Sequence, residues 1–265
     1  MMPVPSQPLA SEPLDDTSLL HFPALRGVAG FVHAVTTRPW NMAPHQGPQA
    51  DLALVRRRRV CWHLGLPFEN LTAGEQIHSG NVVRVVSSDV GAGRDGRHNA
   101  ISFIDGMICD LPEVPLIMFS ADCPLVLAVD PDRRVFGIAH ASWRGTAARI
   151  SEELVRLLVA EFGVRPDGLL AAIGPCAGPE RYEVGEEVRR IVMTRLDGGA
   201  GFCTAHGDRW LLDLKQANVA QLVACGVRRE CISVASECTI GDERFFSHRR
   251  EGAGTGRFAL IAGFR

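Results

Sequence analysis

Three short segments carry the side chains best suited to bind a metal or attack a substrate. They are Gln76-Ile77-His78-Ser79-Gly80, Ser120-Ala121-Asp122-Cys123-Pro124 and His140-Ala141-Ser142-Trp143-Arg144-Gly145-Thr146. Each lies at the end of a predicted strand, and small, turn-forming neighbours leave room for a ligand to approach the backbone. Imidazole and thiolate are ligands that zinc favours, and three protein ligands with an open fourth position is the catalytic arrangement. Such a site polarises a substrate oxygen or acidifies a water to near-neutral pKa. His78, Cys123 and His140 are therefore the candidate metal ligands. The three are far apart in sequence, so the same residue types also suit a buried thiol beside two hydrogen-bonded core histidines. A third chemistry needs no metal: Cys123 and His140 as a thiolate–imidazolium pair for acyl transfer, with His78 orienting the substrate.

Other candidates surround these. Asp122 is next to Cys123 and would serve as a general acid or base, although strand alternation points it to the opposite face. His248, Arg249, Arg250 and Arg257 form a basic, glycine-flanked C-terminal segment, which suits a solvated hairpin and a substrate wall equally. Cys176 follows Gly174-Pro175 and reads as a packing thiol. Cys61, Cys109, Cys203, Cys225, Cys231 and Cys238 read as core thiols. No Cys-x-x-Cys occurs, which argues against structural zinc. His21, His33, His45, His63, His98 and His206 stand in no recognisable pattern. The run Arg56-Arg57-Arg58-Arg59 reads as a solvated helix face.

The elements that must hold these residues follow from periodicity. Strands are expected over 31–37, 82–86, 135–141, 169–173, 231–235 and 258–262, with two more in 115–129 broken at Asp122-Cys123-Pro124. Helices are expected over 51–64, 184–193 and 214–225. The clearest spans 146–162, where Ala147, Ile150, Leu154, Leu157, Leu158 and Phe162 keep the 3.6-residue period. Strands and helices without strict alternation predict an α/β (α+β-like) fold: one domain with a mixed sheet core surrounded by helices. No Gly-x-Gly-x-x-Gly runs directly from a strand into a helix, and Gly252-Ala253-Gly254-Thr255-Gly256 lacks the lysine of a phosphate loop.

With 265 residues, 46% hydrophobic and 22% charged, the composition is that of a globular protein, and the net charge of −2 gives no reason to expect a nucleic-acid or membrane partner. No apolar run reaches the ~18–20 residues of a membrane span. The first twenty-odd residues lack the basic start and apolar stretch of a secretory signal, and their Pro, Ser and acidic content reads as a flexible leader over 1–25, ahead of a single domain over 26–265. Eight cysteines without such a signal suggest reduced thiols and a cytoplasmic location. No heptad or exposed apolar helix calls for a partner, so a monomer is expected.

Taken in order, the motifs resemble the laccase-domain family, also called the YfiH-type or multicopper polyphenol oxidase family, which is associated with purine nucleoside phosphorylase activity. The matching pieces are T-T-R at 36–38, Q-I-H at 76–78, D-G at 105–106, A-D-C-P at 121–124, H-A-S-W-R-G-T at 140–146, I-G-P-C at 173–176, R-Y-E-V-G at 181–185, D-L at 213–214 with Asn218, F-F-S-H-R-R at 245–250 and T-G-R at 255–257. The resemblance implies zinc ligands at His78, Cys123 and His140 and a catalytic helix arginine at Arg57. It also implies phosphorolysis of adenosine, inosine, guanosine and methylthioadenosine, with adenosine deamination at the same site. Two departures stand out. Arg56 replaces the usual asparagine before Arg57, and Pro39-Trp40-Asn41-Met42 replaces a glycine-rich turn. The older family name keeps a copper-dependent phenol oxidase as an alternative, since a His₂Cys set also suits copper. The absence of His-x-His pairs ranks it below phosphorolysis. A zinc-stabilised scaffold without activity is the non-enzymatic alternative.

Overall fold

In the computed structural model, which describes residues 3–265, a seven-stranded mixed sheet has the spatial order Ser6–Gln7, Ile232–Ala235, Leu170–Ile173, Leu125–Asp130, Val135–His140, Gly106–Cys109, Val82–Arg84. A six-stranded sheet has the order Ala10–Leu14, Thr17–His21, Phe31–Thr36, Phe258–Phe264, Leu116–Ser120, Thr72–Ala73. Residue alternation explains why the two stack. Leu127 and Val129 of one sheet meet Leu116, Met118 and Leu260 of the other in the central core. The intervening Val126 and Ala128 face the opposite way, against helices α3 (Ile150–Phe162) and α5 (Leu214–Ala224). Ile117, Ala259 and Ile261 likewise face helix α1 (Ala53–Leu64) through Val60, Cys61 and Leu64. The result is four layers, helix–sheet–sheet–helix, the mixed α/β domain expected from the alternation of patterns.

A three-stranded sheet, Glu183–Val184, Arg209–Leu212, Cys203–His206, packs with helix α4 (Glu186–Arg195) around Val192, Leu196 and Leu212. The helix expected from Thr146 is interrupted. Helix α2 (Trp143–Ala147) starts earlier, capped by the Ser142 hydroxyl accepting from the Gly145 amide at 3.0 Å, and Arg149 at φ +62° separates it from α3. Ser247 caps a last short helix, α6 (His248–Glu251).

The N-terminal segment corrects the expectation of a flexible leader. Ser6–Gln7 pairs in parallel with Ile232–Ala235 at one edge of the large sheet, and Ala10–Leu14 with Thr17–His21 at one edge of the other. Leu9, Leu14, Leu19, Leu20, Phe22 and Leu25 are buried. Composition hid this because Pro13 and the polar residues sit on an edge strand, the one sheet position that tolerates proline.

Helix α1 brings a second correction. Its arginine run is not one solvated face, because Arg56 and Arg57 are buried while Arg58 is exposed. All eight cysteines are free thiols. The chain's only lysine, Lys215 on α5, is 5% exposed and donates to the Ala235 and Glu237 carbonyls at 2.6 and 2.9 Å. No helix among the described residues is long and apolar enough to cross a membrane.

Candidate functional site

The chain passes from one stacked sheet to the other at residues 121–124, and Cys123 sits in that crossing. His140 ends the strand paired with Leu125–Asp130, and the Ala141 amide donates to the Pro124 carbonyl at 2.9 Å, tying the His140 strand end to the Cys123 turn. His78 arrives from the loop before Val82–Arg84 in a left-handed backbone conformation, φ +66°. Gly145 permits the approach of that loop: a Cβ there would lie 2.7 Å from the Ser79 carbonyl oxygen. Together these elements bring the donor atoms of His78, Cys123 and His140 within 4.8 Å of one another. The two imidazoles stand edge to face with centroids 5.0 Å apart.

Asp105, fully buried, organises the cluster. Its carboxylate accepts from the backbone amides of Ile77, His78 and Ser79 at 3.1, 3.0 and 2.6 Å and from the Ser79 hydroxyl at 2.8 Å. These bonds hold His78 in its strained backbone conformation. The fifth bond is to the His140 ring, whose Nδ1 donates to Asp105 at 2.8 Å. With Nδ1 so engaged, Nε2 is the nitrogen left to ligate, the carboxylate–histidine arrangement that fixes ring and tautomer at metal sites.

Charge follows this geometry. Burial alone would push Asp105 up, but the bonds donated by His140 and Ser79 hold it below the usual carboxylate value. Burial also opposes charge on Cys123, yet the imidazoles, His140 foremost, bring the thiol down to about 7. His140 loses to burial but gains more from the Cys123 thiolate and Asp105, and rises to about 9. A thiolate held by imidazoles is the donor set that zinc binds, and the three groups fit such an ion with one side open.

That open side faces a cavity of about 530 Å³. Its walls include Phe119, Trp143 and the chain's single tyrosine, Tyr182. Five arginines line it: Arg57, Arg97, Arg144, Arg249 and Arg257. Arg97 bonds Glu75 at 2.9 Å, whereas the other four form no ion pair among the described residues. Asp122, at φ +110°, also lines the cavity. Its carboxylate oxygens are taken by the Thr239 hydroxyl at 2.6 Å and the Arg249 amide at 2.7 Å. The cavity therefore presents more positive than negative charge, which suits an anionic ligand.

Of the residues marked by sequence, His78, Cys123 and His140 come together, and Arg57 reaches the cavity wall from α1 rather than the cluster. Arg57 is 1% exposed and its guanidinium lies over the Phe119 ring at 4.7 Å. The basic C-terminal segment divides: His248, Arg249 and Arg257 line the cavity, while Arg250 braces its own loop through the Thr239 and Phe245 carbonyls. Cys176 is a fully buried thiol, its pKa pushed up to about 12 by burial. Sequence reasoning assigned no role to Asp105, His45 or Tyr182. A lone carboxylate opening the apolar strand Gly106–Cys109 was the available signal for Asp105.

Comparison with known proteins agrees over nearly the whole chain. The family model described as multi-copper polyphenol oxidoreductase laccase matches residues 29–265. "Purine nucleoside phosphorylase YlmD" of Geobacillus stearothermophilus is 35% identical over 228 residues, 85% of this chain and 83% of that protein. "Purine nucleoside phosphorylase YfiH" of Escherichia coli is 31% identical over 220 residues, 83% of this chain and 84% of that protein. The crystal structure of YlmD from Geobacillus stearothermophilus superposes with a TM-score of 0.89 at 32% identity, covering 97% of this chain and 100% of that one.

Proposed function

The chain belongs to the multi-copper polyphenol oxidoreductase laccase family, and on that premise we propose that it is a zinc-dependent purine nucleoside phosphorylase. Its substrates are adenosine, inosine, guanosine and methylthioadenosine with phosphate, and adenosine is also deaminated at the same site. The observation that carries this reading is the His78–Cys123–His140 cluster opening on a cavity where four arginines lack carboxylate partners. Phosphorolysis forms a bond from a phosphate oxygen to the ribose C1′ and breaks the glycosidic bond, and the base departs with a proton. The cavity arginines other than Arg57 hold and orient the phosphate, whose oxygens match the guanidinium fork. His78, Cys123 and His140 would hold the zinc, which would supply a Lewis acid there. Asp105 keeps His140 in the ligating tautomer. Arg57, buried under the cavity, contributes through the wall it holds.

Phenol oxidation by copper is less well supported. No methionine lines the cavity to serve as a weak axial ligand, and the described residues hold a single His/Cys cluster. A metal-free Cys123–His140 nucleophile draws support from the lowered thiol pKa. Iodoacetamide separates the two: a bare thiolate alkylates quickly, whereas ligated Cys123 is protected until a chelator is added.

The test of the main reading is incubation of the metal-analysed protein with adenosine, with and without phosphate, and chromatography of the products. Adenine and ribose 1-phosphate formed only with phosphate, with about one zinc per chain, is the expected outcome. Inosine formed without phosphate reports the deaminase half. No turnover, with copper in the protein, overturns the nucleoside reading.

A further inference from the structure

Three loops meet at one end of the cavity, and their joint construction points to a particular anion contact. Asn41 is fully buried and uses every polar valence on this junction. Its Nδ2 donates to the Gln46 and Pro48 carbonyls at 2.6 and 3.0 Å, and its Oδ1 accepts from the Ala43 and Arg257 amides at 3.0 and 2.9 Å. The Met42 amide donates to the Arg257 carbonyl at 2.8 Å, and Gln46 Nε2 to the Ala253 carbonyl at 2.6 Å. Gly256 has no room for a side chain, because a Cβ there would lie 2.8 Å from the Phe246 ring and 3.0 Å from Asn41 Cγ. The third loop is joined from below by Arg57. Its Nε donates to the Met42 carbonyl at 2.9 Å, and its Nη1 to the Gly93 and Arg94 carbonyls at 3.0 and 2.6 Å.

Arg257 stands on top of this junction. Its Nη1 donates to the Thr255 and Gly256 carbonyls, both at 2.9 Å, which fixes the guanidinium. Its Nε and Nη2 have no protein acceptor among the described residues, and no carboxylate pairs with it. Burial lowers its pKa, while Cys123 and Asp122 lie near enough to favour its charge. His45 and Arg97 line the same cavity, and His45 feels the charges of Arg97, Arg57 and Arg257.

We propose that Arg257, with His45 and Arg97 beside it, is the direct contact for a tetrahedral phosphate dianion, and that Arg57 is the positioning residue beneath it. The proposal rests on the phosphorylase reading for its ligand and deepens it by naming the residue. A fixed fork with two open donors, lining the same cavity as His78, Cys123 and His140, matches the oxygens of a phosphate within that cavity. Arg57 has spent its Nε and Nη1 on backbone carbonyls, so its charge acts at the junction and through the loops.

The test measures orthophosphate binding to the zinc-loaded protein by calorimetry, alongside steady-state kinetics with adenosine. Arg257→Ala is expected to weaken orthophosphate binding and raise the KM for phosphate by about tenfold or more, with the nucleoside KM changed far less. Arg257→Lys, which keeps the charge without the fork, falls between. Arg156→Ala, a surface arginine of equal charge, behaves as the unaltered protein. If Arg257→Ala unfolds, the lysine variant and its intact melting curve carry the comparison. Orthophosphate binding unchanged in both Arg257 variants overturns the subsite, even where adenosine is phosphorolysed. Adenosine 5′-monophosphate binding through Arg257 without orthophosphate binding overturns it as well, since the phosphate would then come with the nucleoside. Orthophosphate held through Arg257 by a protein that consumes no nucleoside keeps the subsite and removes the phosphorylase reading.

Discussion

Two histidine pairs in this molecule share nearly the same internal geometry. His78 and His140 stand edge to face at 5.0 Å and 74°, His21 and His33 at 5.7 Å and 79°. Their chemistry is opposite. His33 Nε2 accepts from the Phe22 amide at 2.9 Å, His21 Nδ1 donates to the His33 carbonyl at 2.7 Å, and the rings of Phe22 and Phe31 stack on His33. That pair is core packing, and burial drives His33 down to about 3. At the cavity, Asp105 behind one ring and Cys123 before both pull His140 the other way. Ring proximity is therefore uninformative about function. What separates the pairs is what the rings face. His33 is spent on the backbone between two phenylalanines, and Glu12 reaches only His21 Nε2 at 3.3 Å. Asp105 instead braces His140 so that its other nitrogen faces Cys123 and the cavity.

The contrast can be broken most forcefully at Cys123. Cys123→Ala removes the thiolate and is expected to abolish zinc retention and lower phosphorolysis on the order of 10³-fold. Metal analysis and product chromatography read this, and a variant that keeps its zinc and its turnover would make the cavity pair structural too. A smaller effect is expected at the brace. Asp105→Asn keeps the shape but weakens the hold on both histidines, costing about 10–100-fold in metal affinity or activity; an unaltered chelator titration would show that the carboxylate serves the fold alone.

The mildest test concerns the packed pair and is read in stability. The unfolded chain protonates His33 at an ordinary value of 6.5, the folded chain only at about 3. Between those values the unfolded state binds more protons, so stability falls as pH drops through the window, by up to about 1.4 kcal/mol per pH unit. His33→Gln should flatten this slope in urea unfolding at several pH values without changing zinc content. An identical slope in the variant would mean that His33 does not stay neutral in the fold.

The differences between what could be read from sequence and what required three dimensions follow the same division. His78, Cys123 and His140 were singled out because the short motifs around them resemble one family in order, where spacing alone would not have joined them, and the central strands because apolar residues fill both faces. Asp105 was not, since its role depends on a loop twenty-seven residues away in sequence folding over it. Asn41 and Arg257 meet across 216 positions, and nothing local announces that a buried amide will orient an arginine. The strands at 6–7 and 10–14 carry Pro, Ser and Glu because edges accept them, and composition mistook that tolerance for looseness. Arg56 and Arg57 were misjudged for the converse reason. Four like charges suggest water, but a helix turns successive residues by about 100°, so a run of four cannot all face out.

A chain whose sole lysine is a buried residue of α5, tethered to two carbonyls, offers amine-directed reagents no ε-amino group while it is folded. Acylation of Lys215 then becomes a clock for the opening of that corner, readable by the mass of the peptide that carries it, apart from any acylation of the α-amino group. Slower acylation with nucleoside or phosphate present would report ligand-induced stiffening of that corner.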